Sequence, residues 1–74
     1  IRYSLPKSAH VTLKIYNSVG QEVKTLVDQS QSAGFKSVQW DATNRAGQTV
    51  SSGIYLYKIQ AGDFVQIRKM VLLR

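Results

Sequence analysis

Hydrophobic and polar residues alternate along this chain with a period of two, most clearly in His10-Val11-Thr12-Leu13-Lys14-Ile15-Tyr16. Val11, Leu13 and Ile15 fall on one side of an extended segment and Thr12, Lys14 and Tyr16 on the other, which predicts a strand with one buried face. Ser18-Val19-Gly20-Gln21 supplies a turn in which Gly20 can take positive φ, and Glu22 to Val27 returns as the partner strand of a hairpin. Asp28 to Gly34 is polar and ends on glycine, which predicts a loop. Phe35 to Trp40 is again extended, with Val38 and Trp40 on one face.

Asp41 to Thr49 reads as a second turn region, where Asn44 and Gly47 are the natural positions for left-handed backbone. Its end, Ala46-Gly47-Gln48-Thr49-Val50, echoes Val19-Gly20-Gln21-Glu22-Val23, as though one turn solution were used twice. Ser51-Ser52-Gly53 breaks the chain. Ile54 to Gln60 is then a strand with Tyr55, Tyr57 and Ile59 on one face and Leu56 and Lys58 on the other. Ala61-Gly62-Asp63 makes a tight turn into the last strand, Phe64 to Leu73. There Val65 and Ile67 predict a buried odd-numbered face, Lys69 interrupts it, and Met70 and Leu72 continue on the even face. Two readings account for this: a β-bulge near Arg68-Lys69 that exchanges the faces, or a strand end covered on both sides. Ile1 to Leu5 also alternates, and Pro6 ends it because proline cannot donate to a ladder. Six or seven short strands, no helix and closely spaced turn signals predict an all-β fold, a small antiparallel β-sandwich.

The chain has 74 residues and no cysteine. A domain of this size buries only about 60% of the surface its unfolded chain exposes, enough for one thin core but not for a deep substrate cleft beside it. Catalysis by the domain alone is therefore not expected, nor are disulfides or thiolate sites. No apolar run approaches the length of a membrane helix. Ile1-Arg2-Tyr3 lacks the basic-then-apolar succession of a signal peptide, so export would depend on a longer precursor. Ten Lys and Arg against four Asp and Glu give a net charge of +6. These bases are scattered, however, and only Arg68, Lys69 and Arg74 come close to clustering. A nucleic-acid surface gathers its bases on one face, so no nucleic-acid partner is expected.

The inventory for chemistry is thin. His10 is the single imidazole and has no evident acid partner in sequence. The serines sit mainly in turns, none in a nucleophile elbow, and the five glycines are isolated rather than gathered into a phosphate loop. In Asp41 to Gly47, oxygen ligands two or three residues apart could curl around calcium, but one carboxylate is little charge for a cation and Arg45 opposes it; an Asx turn is the plainer reading. No cofactor is expected. Trp40, Tyr55 and Tyr57 lie on apolar faces as core rings, and Tyr16 is left on the polar face, open to a partner.

Laid end to end, these segments resemble a known family. Ile1-Arg2-Tyr3-Ser4-Leu5-Pro6, Val11 to Asn17 with Gly20-Gln21-Glu22-Val23, Ala33-Gly34 leading to Val38-Gln39-Trp40-Asp41, Asn44, Gly47, Ser52-Gly53-Ile54-Tyr55-Leu56-Tyr57 and Arg68-Lys69-Met70-Val71-Leu72 look like the C-terminal sorting domain of type IX secretion substrates. The Ig-like domain at the end of flagellar hook-capping proteins shares the pattern. The resemblance implies a non-catalytic Ig-like sandwich within a longer secreted protein, carried behind an N-terminal cargo domain. It further implies recognition by the outer-membrane secretion machinery and a surface sortase-like protease, and delivery through the periplasm to the cell surface without membrane insertion. The family's Gly-x-Tyr element falls on Gly53 and Tyr55, and its basic-apolar terminal strand on Arg68, Lys69 and Met70 through Arg74. Those residues are the expected points of partner recognition. The alternative role is a structural Ig-like module of a hook cap or of a multidomain extracellular protein. Gly53 and Tyr55 also admit a purely structural reading, as a bend and a core ring.

Overall fold

The computed structural model of the chain describes residues 1–73, which form six strands and no helix: β1 (Arg2–Leu5), β2 (Ala9–Asn17), β3 (Glu22–Gln31), β4 (Gly34–Ser37), β5 (Gly53–Ala61) and β6 (Phe64–Leu72). They assemble into a four-stranded sheet of order β3-β2-β5-β6 and a two-stranded sheet β1-β4, all neighbours antiparallel. This is the small antiparallel β-sandwich that the alternation predicts, of the Ig-like kind that the resemblance implies.

The core lies on one face of the larger sheet. Val11, Leu13 and Ile15 of β2 are completely buried, and the register sets Val11 opposite Ala61, Leu13 opposite Ile59 and Ile15 opposite Tyr57. Directly opposed residues share a face, so the apolar row of β2 continues into that of β5. Leu5, Tyr3 and Ile1 from the β1 side and Val38 after β4 close over this row. The Ile1 and Val38 backbones exchange two hydrogen bonds of 2.8 Å, which extends the small sheet by one rung beyond its strands. Among the described residues no polar side chain is buried, so the domain is held by apolar contact and backbone ladders.

Two features differ from the alternation. β3 continues through Asp28 to Gln31, where a loop is expected, because Ala9 to Thr12 of β2 need ladder partners whatever the polarity of the side chains opposite. The bulges also fall elsewhere. The β2–β3 ladder shifts register between Leu13 and Lys14 and again between Ile15 and Tyr16, leaving Leu26 and Val23 as the extra residues of β3. The first shift lets two consecutive apolar residues, Leu26 and Val27, both pack on the core, which strict alternation forbids.

β6, by contrast, pairs with β5 without a shift, from Ala61 opposite Phe64 to Gly53 opposite Leu72. No bulge forms at Arg68-Lys69. The tight turn at Gly62-Asp63 decides this, since a two-residue connection assigns Phe64 to the inner face and every even residue after it likewise. Val65, Ile67 and Val71 therefore point away from the core and are half to two-thirds exposed, contrary to the buried odd face expected from sequence.

Leu13→Ala removes a fully buried side chain from the centre of the sandwich and is expected to cost about 2–5 kcal/mol. Ile67→Thr, on the outer row, should change stability by no more than about 0.5 kcal/mol. Urea denaturation followed by Trp40 fluorescence distinguishes the two sites.

Candidate interaction surface

The repeated Gly-Gln motif marks one hydrogen-bonded turn built twice. At the first site the Asn17 amide donates to the Gln21 carbonyl (2.9 Å), the Gly20 amide donates to the Asn17 carbonyl (3.0 Å), and Asn17 Oδ1 accepts from the amides of Val19 (3.1 Å) and Gln21 (2.9 Å). At the second the same four bonds join Asn44 to Ala46, Gly47 and Gln48, at 2.8 to 3.0 Å. Gly20 and Gly47 carry matching φ values of +87° and +82°, which a side chain rarely tolerates. Asn44 itself is not left-handed. That conformation falls on Ala42, at φ +62°, where the chain reverses and the Ala42 carbonyl accepts from the Val50 amide. The two turns flank an open cleft of about 610 Å³ whose walls include Glu22, Val23, Val50 and Tyr55.

The stretch of β3 between its two bulges sets the electrostatics beside this cleft. It places Lys24 opposite Ile15, on the inner side of the sheet, where its ammonium donates to Thr43 Oγ1 (2.8 Å) and pairs with Asp41 Oδ1 (3.6 Å). The Thr43 hydroxyl donating to it holds the Asp41 carboxyl below its ordinary value near 3.8; loss of hydration pushes the other way, and Lys24 and the Thr43 amide reinforce the lowering. Glu22 pairs with Lys14 (3.3 Å) and with the Arg45 guanidinium, and the Arg45 amide donates to the Val23 carbonyl (3.0 Å). The 41–50 loop is thus pinned along β3. The oxygens that a calcium ion would need, Asp41 Oδ1 and Asn44 Oδ1, accept from the protein's own donors instead.

His10 does have an acid partner: Asp28 Oδ1 lies 2.7 Å from its Nε2, on the neighbouring strand. Sequence gives no sign of this, because the pair exists only through the β2–β3 register. Both side chains are exposed, and no serine hydroxyl is bonded to the ring among the described residues.

The residues expected to carry recognition divide between two faces. Gly53 opens β5 at φ +155° opposite Leu72. Tyr55 is buried: Trp40 meets it edge to face at 5.2 Å, its hydroxyl donates to the Ser51 carbonyl (2.7 Å), and Met70 lies opposite it on β6. Trp40 is fixed in turn by donation from its Nε1 to the Thr43 carbonyl (2.9 Å). The bend-and-core reading of Gly53 and Tyr55 is the one the geometry favours. Met70 is half-buried in a recess with Ile1, Val38 and Trp40. Arg68 and Lys69 are exposed, on opposite faces of β6 and opposite Tyr57 and Leu56 respectively. Arg74 lies outside the described residues. Tyr16 is half-buried on the outer face opposite Leu56, at the edge of a small recess with Lys14 and Lys58.

The surface left open is the β6 side of the sheet. Ile54 and Val71 oppose each other on the outer face, with Val65 and Ile67 farther along β6, and all four are about half exposed or more. Three of the four acidic side chains, Glu22, Asp28 and Asp41, are paired at or beside β3, and Arg68 and Lys69 form no ion pair among the described residues.

Two consequences can be measured. Because the Asp41 pKa is lowered on folding, its carboxylate stabilises the fold fully above its unfolded value, and that contribution fades as pH falls through the folded value. Melting temperatures recorded from pH 6 to pH 2 should therefore fall less steeply for Asp41→Asn than for the parent chain. Tyr55→Phe keeps the ring against Trp40 but leaves the Ser51 carbonyl without its donor, and is expected to cost about 0.5–1.5 kcal/mol in urea denaturation.

Among known families, the one described as the FlgD Ig-like domain matches residues 1–63, from the residue before β1 to the Gly62-Asp63 turn. Neither a curated protein nor a solved structure matches the chain. The family match spans both sheets except β6 and agrees with the sandwich described above. This chain belongs to the FlgD Ig-like domain family.

Proposed function

We propose that this domain is a non-catalytic Ig-like module of a multidomain extracellular protein, of the kind that flagellar hook caps carry, and that it works by contact with neighbouring protein. The family match over residues 1–63 is the observation that supports it. The distribution of chemistry agrees with this role: the polar side chains brought together by the fold brace the 41–50 loop and the β2–β3 hairpin, while the apolar outer row of β6 faces outward.

A second reading, a sorting domain recognised by type IX secretion machinery, is favoured by one feature. The basic and apolar strand on which that resemblance rests, β6, exposes Arg68 and Lys69 and half-buries Met70, and it lies beyond the matched residues.

Deleting residues 1–74 from the parent protein separates the two. A module of assembly leaves the parent exported but unable to build its structure or hold its neighbour, scored by electron microscopy of cell-surface filaments and by fractionation. Retention of the truncated parent inside the cell would instead favour sorting, and normal export with normal assembly would overturn both.

A further inference from the structure

The two edges of the four-stranded sheet are built differently. β3, at one edge, carries both register shifts, and its two carboxylates are already paired, Asp28 with His10 and Glu22 with Lys14 and Arg45. Bulges twist an edge away from flat pairing and so protect it. β6, at the other edge, is nine residues long, pairs regularly with β5 throughout, and contains no proline. Its second side therefore presents an unbroken row of backbone donors and acceptors, flanked on the outer face by Val65, Ile67 and Val71. In the middle of that row stand Arg68 and Lys69 without an ion pair among the described residues.

We propose that the free edge of β6 receives an extended strand from a partner protein, one carrying two adjacent acidic residues flanked by apolar residues at alternate positions. Strand addition supplies affinity through the backbone and selectivity through the side chains that meet across the ladder. Arg68 and Lys69 point to opposite faces, so two consecutive carboxylates on the incoming strand reach one each, while apolar residues meet Ile67 and Val71 on the outer face. This names the partner chemistry for the contact role proposed above, and rests on that reading.

Charge argues against a second copy as the occupant. Full-length antiparallel pairing of two β6 strands, 64–72, is centred on residue 68, which sets Arg68 against its own counterpart with Lys69 one rung away. In-register parallel pairing opposes both bases to themselves. The β3 edge of another copy offers no free carboxylate and a bulged ladder. The basic pair thus repels the domain's own strand and selects an acidic one.

The test uses the 74-residue chain and a synthetic capped peptide, Thr-Val-Thr-Glu-Glu-Val-Thr-Val, with a second peptide in which Lys-Lys replaces Glu-Glu. Amide hydrogen exchange and chemical shifts are followed by NMR. The acidic peptide should slow exchange along β6 and leave β3 unchanged, and the basic peptide should bind at least roughly tenfold more weakly, since two cross-strand pairs change from attraction to repulsion. Arg68→Glu combined with Lys69→Glu, both at exposed positions, should invert the preference. N-methylation of alternate peptide amides should abolish binding if the ladder carries it.

Equal binding of the two peptides, protection centred on β3, or concentration-dependent protection of β6 without peptide would overturn the proposal. Its failure is separable from that of the contact role. A parent protein that still needs the domain for assembly, together with no peptide-dependent protection of β6, removes the acidic strand and leaves the module. Peptide protection of β6 in a parent that assembles without the domain retains the binding edge and removes the assembly role.

Discussion

The pairing of β2 with β5 is the constraint on which the rest of the sandwich depends. Val11, Leu13 and Ile15 meet Ala61, Ile59 and Tyr57 across a ladder that joins segments more than forty positions apart in the chain. Until that ladder forms, neither the β2–β3 hairpin nor the β5–β6 hairpin has a second apolar row to complete its inner face, and β1-β4 has nothing to cover. Such non-local pairing incurs its loop-closure entropy before any burial offsets it, which is why small β domains fold slowly relative to helical ones. With no disulfide and no buried polar network among the described residues, the pairing also has no covalent or ionic substitute.

The bulges of β3 link this core to the loop chemistry. Alternation alone would leave either Leu26 or Val27 in water; the first register shift brings both to the core. The same shift sets Lys24 opposite Ile15 on the inner side, before the second shift at Val23, and there Lys24 meets Thr43 and Asp41 and draws the 41–50 loop down beside β3. With Trp40 held by the Thr43 carbonyl, the same loop seats an indole against Tyr55. A packing requirement at Leu26-Val27 and an electrostatic contact at Asp41 are therefore parts of one distortion of the ladder.

Much of the fold was readable from residues alone. β2 announces itself through Val11, Leu13 and Ile15, β5 through Tyr55 and Ile59, and the paired turns through the shared Gly-Gln spacing, because each signal is local. The missed features are those decided at a distance. Asp28 to Gln31 form strand because Ala9 to Thr12 require partners, and His10 meets Asp28 only through that same register. The left-handed position falls on Ala42 rather than Asn44 because the Asn44 side chain serves the amides of the turn while the chain reverses two residues earlier. Of the residues expected to contact a partner, Tyr55 carries two messages that sequence does not separate, an aromatic ring and a hydroxyl. The structure spends both internally, whereas Arg68 and Lys69 remain at the surface.

β6 is unusual among the six strands in that its own composition does not choose a face. One row holds Phe64, Gln66, Arg68, Met70 and Leu72 and the other Val65, Ile67, Lys69 and Val71, so the two are nearly matched in apolar character. The choice is made outside the strand, by the length of the Gly62-Asp63 turn. Because burial contributes little to its register, the side chains of β6 are under light obligation to the core. The domain can accordingly vary what it displays along this edge while its folding instructions, held in β2, β5 and the turns, stay the same.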